Sequence, residues 1–321
     1  TEIWRQATQR TDFTAAAALA VVQLVAVVAM VAVSGVLERR TGSLPSRRPA
    51  PARRPRTRRQ WFGATAALAP ALLVVAIPLA VLVERSVSVG DGHGFDHYRA
   101  LTESGRSGLA VPALDAVGNS LQAAGWATLV AVTVGGLASV AVVHLGRVTG
   151  RALDVALMIP LGTSAVTLGF GILLALDEPP LDLRTSWVII PIAQALVGIP
   201  FVVRSMVPAL RTVDPHQREA AAVLGAGPVR TRWEVDGPVA RRALLVGAAF
   251  AFAVSLGEFG ATSFLARPDA PTVPVAMFRL LGQPGAALRG QAMALGTVLA
   301  VLTMVSVLVI ERLRPKDALG W

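Results

Sequence analysis

The sequence has 321 residues, of which 54% are apolar and 16% are charged, and its formal net charge at pH 7 is +10. A soluble domain carries about 25% charged residues, so this composition argues against an ordinary soluble protein and favours a membrane protein. The sequence contains no cysteine, which excludes disulfide bonds, thiolate metal sites and cysteine nucleophiles. We predict an all-α fold, a polytopic membrane helix bundle.

Seven segments are long and apolar enough to cross a membrane, which takes roughly 20 residues. The third, fourth and sixth are rich in small residues, which let helices approach closely in a bundle. In chain order the predicted spans are Phe13–Leu37, Phe62–Val83, Ser120–Val143, Ala152–Leu176, Trp187–Leu210, Ala243–Leu265 and Gln291–Ile310.

A linker rich in arginine and proline, residues 38–60, separates the first span from the other six. Nine arginines fall within residues 39–59 with no aromatic residue among them. This pattern is typical of a solvated cytoplasmic linker, extended and without a core, and argues against nucleic-acid binding. With the linker in the cytoplasm, that side of the membrane carries 20 Lys and Arg residues and the opposite side nine. The excess agrees with the positive-inside rule.

A polar segment interrupts the apolar spans in the predicted cytoplasmic loop 211–242. Asp214-Pro215 is a favourable helix start, since Asp caps a helix and Pro suits its first position. Gly225 suits the end of that helix, and Gly227-Pro228 predicts a turn. A second short helix is expected to end near Pro238. The loop therefore predicts a compact helical bracket outside the bilayer, available to a cytoplasmic partner.

The same segment carries Glu219-Ala220-Ala221, three residues, Gly225, nine residues, and then Val235-Asp236-Gly237-Pro238. It resembles the EAA loop of the permease subunits of bacterial ABC importers, E-A-A, three residues, G, nine residues and I-x-L-P. Gly237 departs from the usual Leu. In that family the loop docks in a groove of the ATPase subunit. The resemblance implies that residues 214–228 do so here, with ATPase-coupling residues Asp214, Glu219, Ala220, Ala221, Gly225 and Pro238.

Further motifs resemble the ferric-iron and thiamine permeases, which often fuse two six-helix halves. They include Leu168-Gly169-Phe170-Gly171 and Ser255-Leu256-Gly257-Glu258-Phe259-Gly260-Ala261. The chain begins at Thr1 rather than Met, and we expect a fragment of a longer protein. By resemblance, residues 1–37 are the last helix of an upstream permease half. Residues 38–60 join it to a six-helix permease domain, residues 61–321.

The resemblance also implies location, partners and cargo. We expect a multi-pass protein of the bacterial cytoplasmic membrane, in contact with lipid, that works with two cytoplasmic ATP-binding subunits and an extracytoplasmic solute-binding protein. It would move a small solute, ferric iron or thiamine, inward by alternating access. No cofactor and no nucleic-acid partner is predicted.

Several polar residues within the spans are candidates for a solute pathway. An acid in a membrane span is costly and usually faces the bundle interior or a water-filled path. Glu258 is therefore predicted either to line the pathway or to be a structural partner of neighbours such as Ser255. Gln194 and Gln291 are expected to bridge helices. The tentative pathway set is Glu258, Ser255, Asn119 and Gln194.

Neither an ATP-hydrolysis site nor a metal site is predicted. A phosphate-binding P-loop needs a lysine after a glycine, and Lys316, the single lysine, has no glycine before it. The energy must come from a partner or from a gradient, which leaves a secondary transporter or channel as the alternative class. Residues 91–97 hold two histidines and two aspartates. They lie in a glycine-rich outer loop without defined ligand geometry, and we predict a connecting loop there.

Overall fold

The computed structural model describes residues 57–90, 92–103, 109–176, 183 and 186–313, together with part of 18–29. The described residues of 18–29 are helical. The remainder of the predicted first span, and linker residues 38–56, lie outside the described residues. The assignment of residues 1–37 to an upstream half therefore stays a prediction.

Helix α1, Arg58–Val87, includes the last three residues of the predicted linker. The cause is a capping box. The Thr57 hydroxyl accepts a hydrogen bond from the Gln60 N–H at 3.3 Å, and the Gln60 side chain accepts one from the Thr57 N–H at 3.4 Å. This reciprocal pair satisfies two donors that a helix start otherwise leaves free. The helix therefore starts at Arg58, within the predicted linker, and the domain boundary at residue 61 stays a prediction.

A small cap follows α1 on the predicted outer side. Strands β1 (Ser88–Val89) and β2 (Gly92–His93) pair antiparallel, and helix α2 covers Asp96–Ala100. The Tyr98 hydroxyl lies 2.8 Å from the Ser86 hydroxyl, which ties α2 back to the end of α1.

Three helices form the centre of the bundle: α3 (Asp115–His144), α6 (Ile189–Arg211) and α9 (Gly237–Leu256). Glycines allow their close contact. A Cβ on Gly247 of α9 would lie 2.8 Å from the Cα of Val202 in α6, and a Cβ on Gly198 of α6 would lie 3.3 Å from the Ala251 Cβ. Small residues at such crossings bring helix backbones together.

The predicted fourth span, Ala152–Leu176, is not one helix. Helix α4 (Arg147–Gly162) and helix α5 (Ala165–Ala175) meet at an angle of 104°. Thr163 and Ser164 between them are extended, and Pro160 lies in the last turn of α4. Proline removes a backbone donor and glycine at position 162 weakens the helix, so the chain bends here. Hydropathy does not detect the bend because both arms are apolar.

The predicted sixth span, Ala243–Leu265, is also interrupted. Helix α9 ends at Leu256, a turn covers residues 257–261, and a short helix α10 covers Thr262–Leu265. The turn packs closely on α5, because a Cβ on Gly260 would lie 2.9 Å from the Ala165 Cβ. Gly260 permits this approach because it has no side chain.

The described residues end with helix α11 (Val273–Leu281) and helix α12 (Ala286–Leu313). Helix α12 packs against α1, α9 and α11. Within the described residues, five helices are long and apolar enough to cross a membrane, or six spans if the bent α4–α5 pair counts as one. The prediction of a polytopic bundle with six helices after the linker is therefore confirmed.

Candidate functional site

The predicted coupling helix is present and its ends are defined by local chemistry. Helix α7 covers Pro215–Val223, and the Asp214 carboxylate accepts a hydrogen bond from the His216 N–H at 2.9 Å. At the other end Gly225 has φ +85°, the left-handed region that glycine favours. The Ala226 N–H donates to the Ala221 carbonyl at 2.9 Å and the Gly225 N–H to the Ala222 carbonyl at 3.0 Å, which completes a Schellman motif.

The second arm of the bracket does not end near Pro238 as predicted. Helix α8 (Pro228–Thr231) continues through a π-helical turn, Arg232–Asp236, directly into α9. The π turn accommodates the proline. The Gly237 N–H bonds to the Arg232 carbonyl, five residues back, and Pro238 has no N–H to place in the ladder. Pro238 is therefore part of the first turn of a membrane helix.

The predicted coupling residues lie on the outside of the bracket. Asp214, Glu219, Ala220, Gly225 and Pro238 are exposed, and Ala221 is half-buried. Glu219 Oε2 lies 3.2 Å from the Nδ1 of His216, one helical turn away. Apart from the capping bond of Asp214 and this contact, the exposed set is free to meet another molecule.

Large apolar side chains that the sequence analysis did not single out are exposed on the same bracket. The side chains of Val223, Leu224 and Trp233 are 88%, 87% and 82% exposed, and Val229 is also exposed. Lipid explains exposed apolar residues along the spans, but α7 is a short polar helix between two spans. Val223 and Leu224 lie between two spans, whereas Val229 and Trp233 lie at the start of the apolar helix Pro228–Leu256. A cluster of exposed apolar side chains at this position indicates a contact surface for another protein. Val223 and Leu224 are adjacent, and Val229 and Trp233 form a single i, i+4 pair, which is too short a pattern to predict an amphipathic helix.

Glu258 lies in the turn between α9 and α10 rather than inside a helix. Its side chain is 6% exposed. Oε1 accepts a hydrogen bond from the Ala261 N–H at 2.7 Å, and Oε2 accepts one from the Thr262 N–H at 3.0 Å. The carboxylate therefore caps α10 from within the fold. Its partners are these backbone groups rather than Ser255, the neighbour named in the structural alternative.

Gln194 and Ser255 form a second polar location in the bundle centre. Helices α6 and α9 run antiparallel, and Gly198 of α6 contacts Ala251 of α9. Gln194 lies one turn before Gly198 and Ser255 one turn after Ala251, so both lie at the same level, outward from that contact. Each residue is 1% exposed, and within the described residues neither Gln194 Oε1 nor Ser255 Oγ has a hydrogen-bond partner.

Asn119 is not part of this polar pair, because its side chain bonds to the backbone before α11. Its Nδ2 donates to the Pro271 carbonyl at 3.2 Å, and the neighbouring Ser120 hydroxyl accepts from the Val273 N–H at 2.8 Å. Both bonds fasten the segment before α11 to the outer end of α3. Gln291, predicted to bridge helices, is buried at the start of α12, and its Oε1 has no partner in the described part of the chain.

The outer loop 91–97 has no metal geometry in its described part. His97 is buried, and its Nε2 lies 2.8 Å from the Ser88 carbonyl. His93 is exposed, and residue 91 lies outside the described residues. Across the residues that the structure describes, no group of three His, Cys, Asp or Glu side chains is arranged to hold a metal ion.

The sequence from residue 116 to residue 316 matches the family model described as "Binding-protein-dependent transport system inner membrane component". The chain belongs to this family, the permease subunits of ABC importers. The matched region starts in α3 and includes the whole bracket, the pair of residues in the bundle centre and the Glu258 turn. The resemblance of the EAA loop is thereby confirmed at the level of the family, and the secondary-transporter class is set aside.

Curated relatives agree with this assignment. The chain is 29% identical over 233 residues to the putative 2-aminoethylphosphonate transport system permease protein PhnU of Salmonella typhimurium. The alignment covers 66% of this chain and 79% of the relative. The chain is also 33% identical over 177 residues to the molybdenum transport system permease protein ModB of Escherichia coli. That alignment covers 50% of this chain and 76% of the relative.

A solved structure shares the fold. It is a chain of a bacterial ABC transporter involved in the import of the acidic polysaccharide alginate, with a TM-score of 0.62 and 18% sequence identity. The alignment covers 82% of this chain and all of that chain. The ABC permease is therefore a multi-pass protein of the inner membrane and a transport component, and its family membership implies ATP-binding subunits and a solute-binding protein as partners.

Proposed function

We propose that the bracket of α7 and α8 is the ATPase-docking element of this permease, and that residues 214–228 seat in an ATP-binding subunit. The exposed apolar cluster of Val223, Leu224, Val229 and Trp233 carries this proposal. Exposing such side chains to water is unfavourable by roughly 1.5–3 kcal/mol each relative to burial. A partner groove that covers them gains this free energy, and the caps at Asp214 and Gly225 keep the helix that presents them short and rigid.

The permease works by alternating access, driven by two ATP-binding subunits. ATP binding closes the subunits, and a docked helix passes their movement to the spans as a rigid body. The bracket continues through the π turn into α9, which carries Ser255 near its far end and is followed by the turn that holds Glu258. Movement of the bracket therefore acts directly on the polar residues of the bundle centre.

Gln194 and Ser255 are the residues that face the solute. A buried polar atom without a partner is costly, by about 1–3 kcal/mol, so two of them at one level of a bundle indicate a binding role. They offer neutral hydrogen-bonding groups. Glu258 caps α10, and Asn119 bonds to the outer loop. These two residues of the predicted pathway set therefore have structural roles.

The solute is a small polar ion. Ferric iron and thiamine, the predicted solutes, are cations, and a free carboxylate in the pathway would suit them. Both oxygens of Glu258 are engaged by backbone N–H groups, which removes the acid from direct contact. A small anion is therefore a second candidate, favoured by the neutral pair Gln194 and Ser255 and by the relatives named for 2-aminoethylphosphonate and molybdenum.

Co-purification with the ATP-binding subunit tests the docking proposal. The permease alone carries the tag, and the retained ATPase is measured for the wild type, for Leu224→Glu and for Val148→Glu. Val148 is a matched control because it is 84% exposed at the start of α4, on the side of the membrane predicted to be cytoplasmic. We expect Leu224→Glu to lose the ATPase and Val148→Glu to keep it. Retention by Leu224→Glu would contradict docking through this face.

Uptake measurements distinguish the solutes. Wild-type transporter in membrane vesicles is supplied with the binding protein and with labelled ferric iron, thiamine, molybdate or 2-aminoethylphosphonate. ATP-dependent uptake of either cation would support the original prediction, and uptake of either anion would support the second candidate. Uptake that needs no ATP and follows an ion gradient would overturn the coupling mechanism itself.

A further inference from the structure

The coupling helix α7 has almost no apolar anchorage of its own. None of its nine residues is buried. Its connection to α8 runs through Gly225-Ala226-Gly227, where two of three residues are glycine. Glycine is the most flexible residue of a chain, so this connection transmits force poorly. A helix that moves the spans needs a stiffer contact with them.

One buried carboxylate supplies such a contact. Asp236 ends the π turn before α9 and is 5% exposed. Its Oδ1 accepts a hydrogen bond from Nε of the Arg218 guanidinium of α7 at 2.9 Å, and Arg218 Nη2 lies 2.9 Å from the same oxygen as an ion pair. Arg218 Nη2 also donates to the Leu210 carbonyl in the last turn of α6, at 3.4 Å. Charge-assisted hydrogen bonds of this length are among the strongest and most directional in proteins.

A third helix reaches the same carboxylate. His144, the last residue of α3, has its Nε2 at 3.6 Å from Asp236 Oδ2. That oxygen has no hydrogen-bond partner among the described residues. The junction also borders a cavity of about 650 Å³ lined in part by Leu210, Trp233 and Asp236. The free space beside a short polar contact lets the surrounding helices shift while the ion pair stays closed.

From this geometry we propose that Arg218 and Asp236 are positioning residues that transmit movement of α7 to α9, α6 and α3. The inference rests on the proposed docking of α7, and it assigns the step that follows docking. Asp236 joins the coupling helix to the first turn of α9, which carries Ser255 near its far end and leads into the Glu258 turn. Breaking the pair leaves α7 able to bind the ATPase but joined to the spans only by the backbone, through residues 212–214 to α6 and through the glycine-containing segment to α8.

A buried pair between α7 and a membrane helix predicts uncoupling rather than undocking. The experiment uses the assembled transporter in proteoliposomes with the ATP-binding subunits and the binding protein. Three quantities are measured: ATPase retained on the tagged permease, ATP hydrolysis stimulated by solute-loaded binding protein, and solute taken up per ATP. The variants are Arg218→Gln, Asp236→Asn and the double variant.

We expect each single variant to retain the ATPase, while solute uptake per ATP falls about tenfold, the order expected when one charge-assisted hydrogen bond is lost. The double variant should be no worse than either single variant, because both changes remove the same interaction. Arg218→Lys keeps the charge without the paired donors and should recover part of the coupling. Arg230→Gln is the matched control, since it removes the exposed pair with Glu234 on the same bracket.

The outcomes separate this inference from the docking proposal. Full coupling in both single variants, or additive losses in the double variant, would overturn the role of the pair while docking stands. Loss of the ATPase from Arg218→Gln would overturn it too, because the pair would then hold the docking surface itself. A wild-type permease that retains no ATPase overturns docking and this inference together. If Asp236→Asn fails to accumulate in the membrane, Arg218→Gln on the more exposed side decides alone.

Discussion

The break between α9 and α10 depends on a glycine in another helix, and replacing that glycine tests the packing directly. A Cβ on Gly169 of α5 would meet the Cα of Ala261 and lie 2.6 Å from the Ala261 carbonyl oxygen. Ala261 also donates its N–H to Glu258. The atoms in the way are backbone, which has no rotamer to escape to. Gly169→Ala must therefore push the Glu258 turn away from α5.

Two effects of opposite sign act on the stability of this variant. Alanine is more favourable than glycine in a helix by about 1 kcal/mol. Overpacking of a close contact costs about 1–3 kcal/mol. Gly171→Ala isolates the second effect, because Gly171 lies in the same helix and nothing lies within 4 Å of its added Cβ. We expect Gly169→Ala to be less stable than Gly171→Ala by about 1–3 kcal/mol.

The comparison is made on the purified permease complex. Both variants are heated in detergent, and the apparent unfolding temperature is taken from the protein that remains monodisperse. At about 2–4 °C per kcal/mol for a chain of 150–250 residues, Gly169→Ala should unfold at least about 2 °C below Gly171→Ala. ATP-driven uptake should fall in the same variant because the cap of α10 is displaced. Equal unfolding temperatures and equal uptake would refute the packing argument.

Three further substitutions give distinct outcomes. Gly225→Ala should strain the end of α7 by about 1–2 kcal/mol at its positive φ and reduce the ATPase retained in co-purification, whereas Gly227→Ala, at φ −67°, should not. Glu258→Gln keeps one acceptor oxygen for two backbone donors, so uptake should fall while the chain stays inserted in the membrane. Wild-type uptake would show that this acid is dispensable. Ser255→Ala removes a buried hydroxyl without a partner, so thermal stability should stay equal or rise while uptake falls; unchanged uptake would remove Ser255 from the pathway.

Local chemistry made the coupling helix predictable. Asp214 caps through its own side chain, Pro215 suits the first helical position, and Gly225 permits the left-handed end, so each role depends on residues within one turn. The same locality explains the success of the span prediction, since 20 apolar residues are recognised without knowledge of their neighbours. The capping box at Thr57 and Gln60 is equally local, but the sequence analysis assigned both residues to the arginine-rich linker.

The errors share a physical cause. The bend at Thr163-Ser164 and the turn at residues 257–261 lie within apolar sequence. A hydropathy pattern records how apolar a segment is, but not the direction in which the chain runs. A helix end was predicted near Pro238 because a proline removes one backbone hydrogen bond. The five-residue π turn before Pro238 accommodates the proline, so the helix continues. Each of these three features depends on the helix that packs against it, and a short stretch of sequence does not contain that information.

The sequence by itself determined the membrane class, the apolar spans after the linker and the helix of the predicted coupling loop, because apolar length and caps act locally; the orientation of the spans stays a prediction. Only the tertiary structure decided which polar groups meet. It brought Gln194 level with Ser255, gave both oxygens of Glu258 to the backbone, and joined Arg218 to Asp236 across 18 residues. Those contacts are set by the packing of helices distant in the chain, where small residues at the crossings fix how the helices approach and in which register.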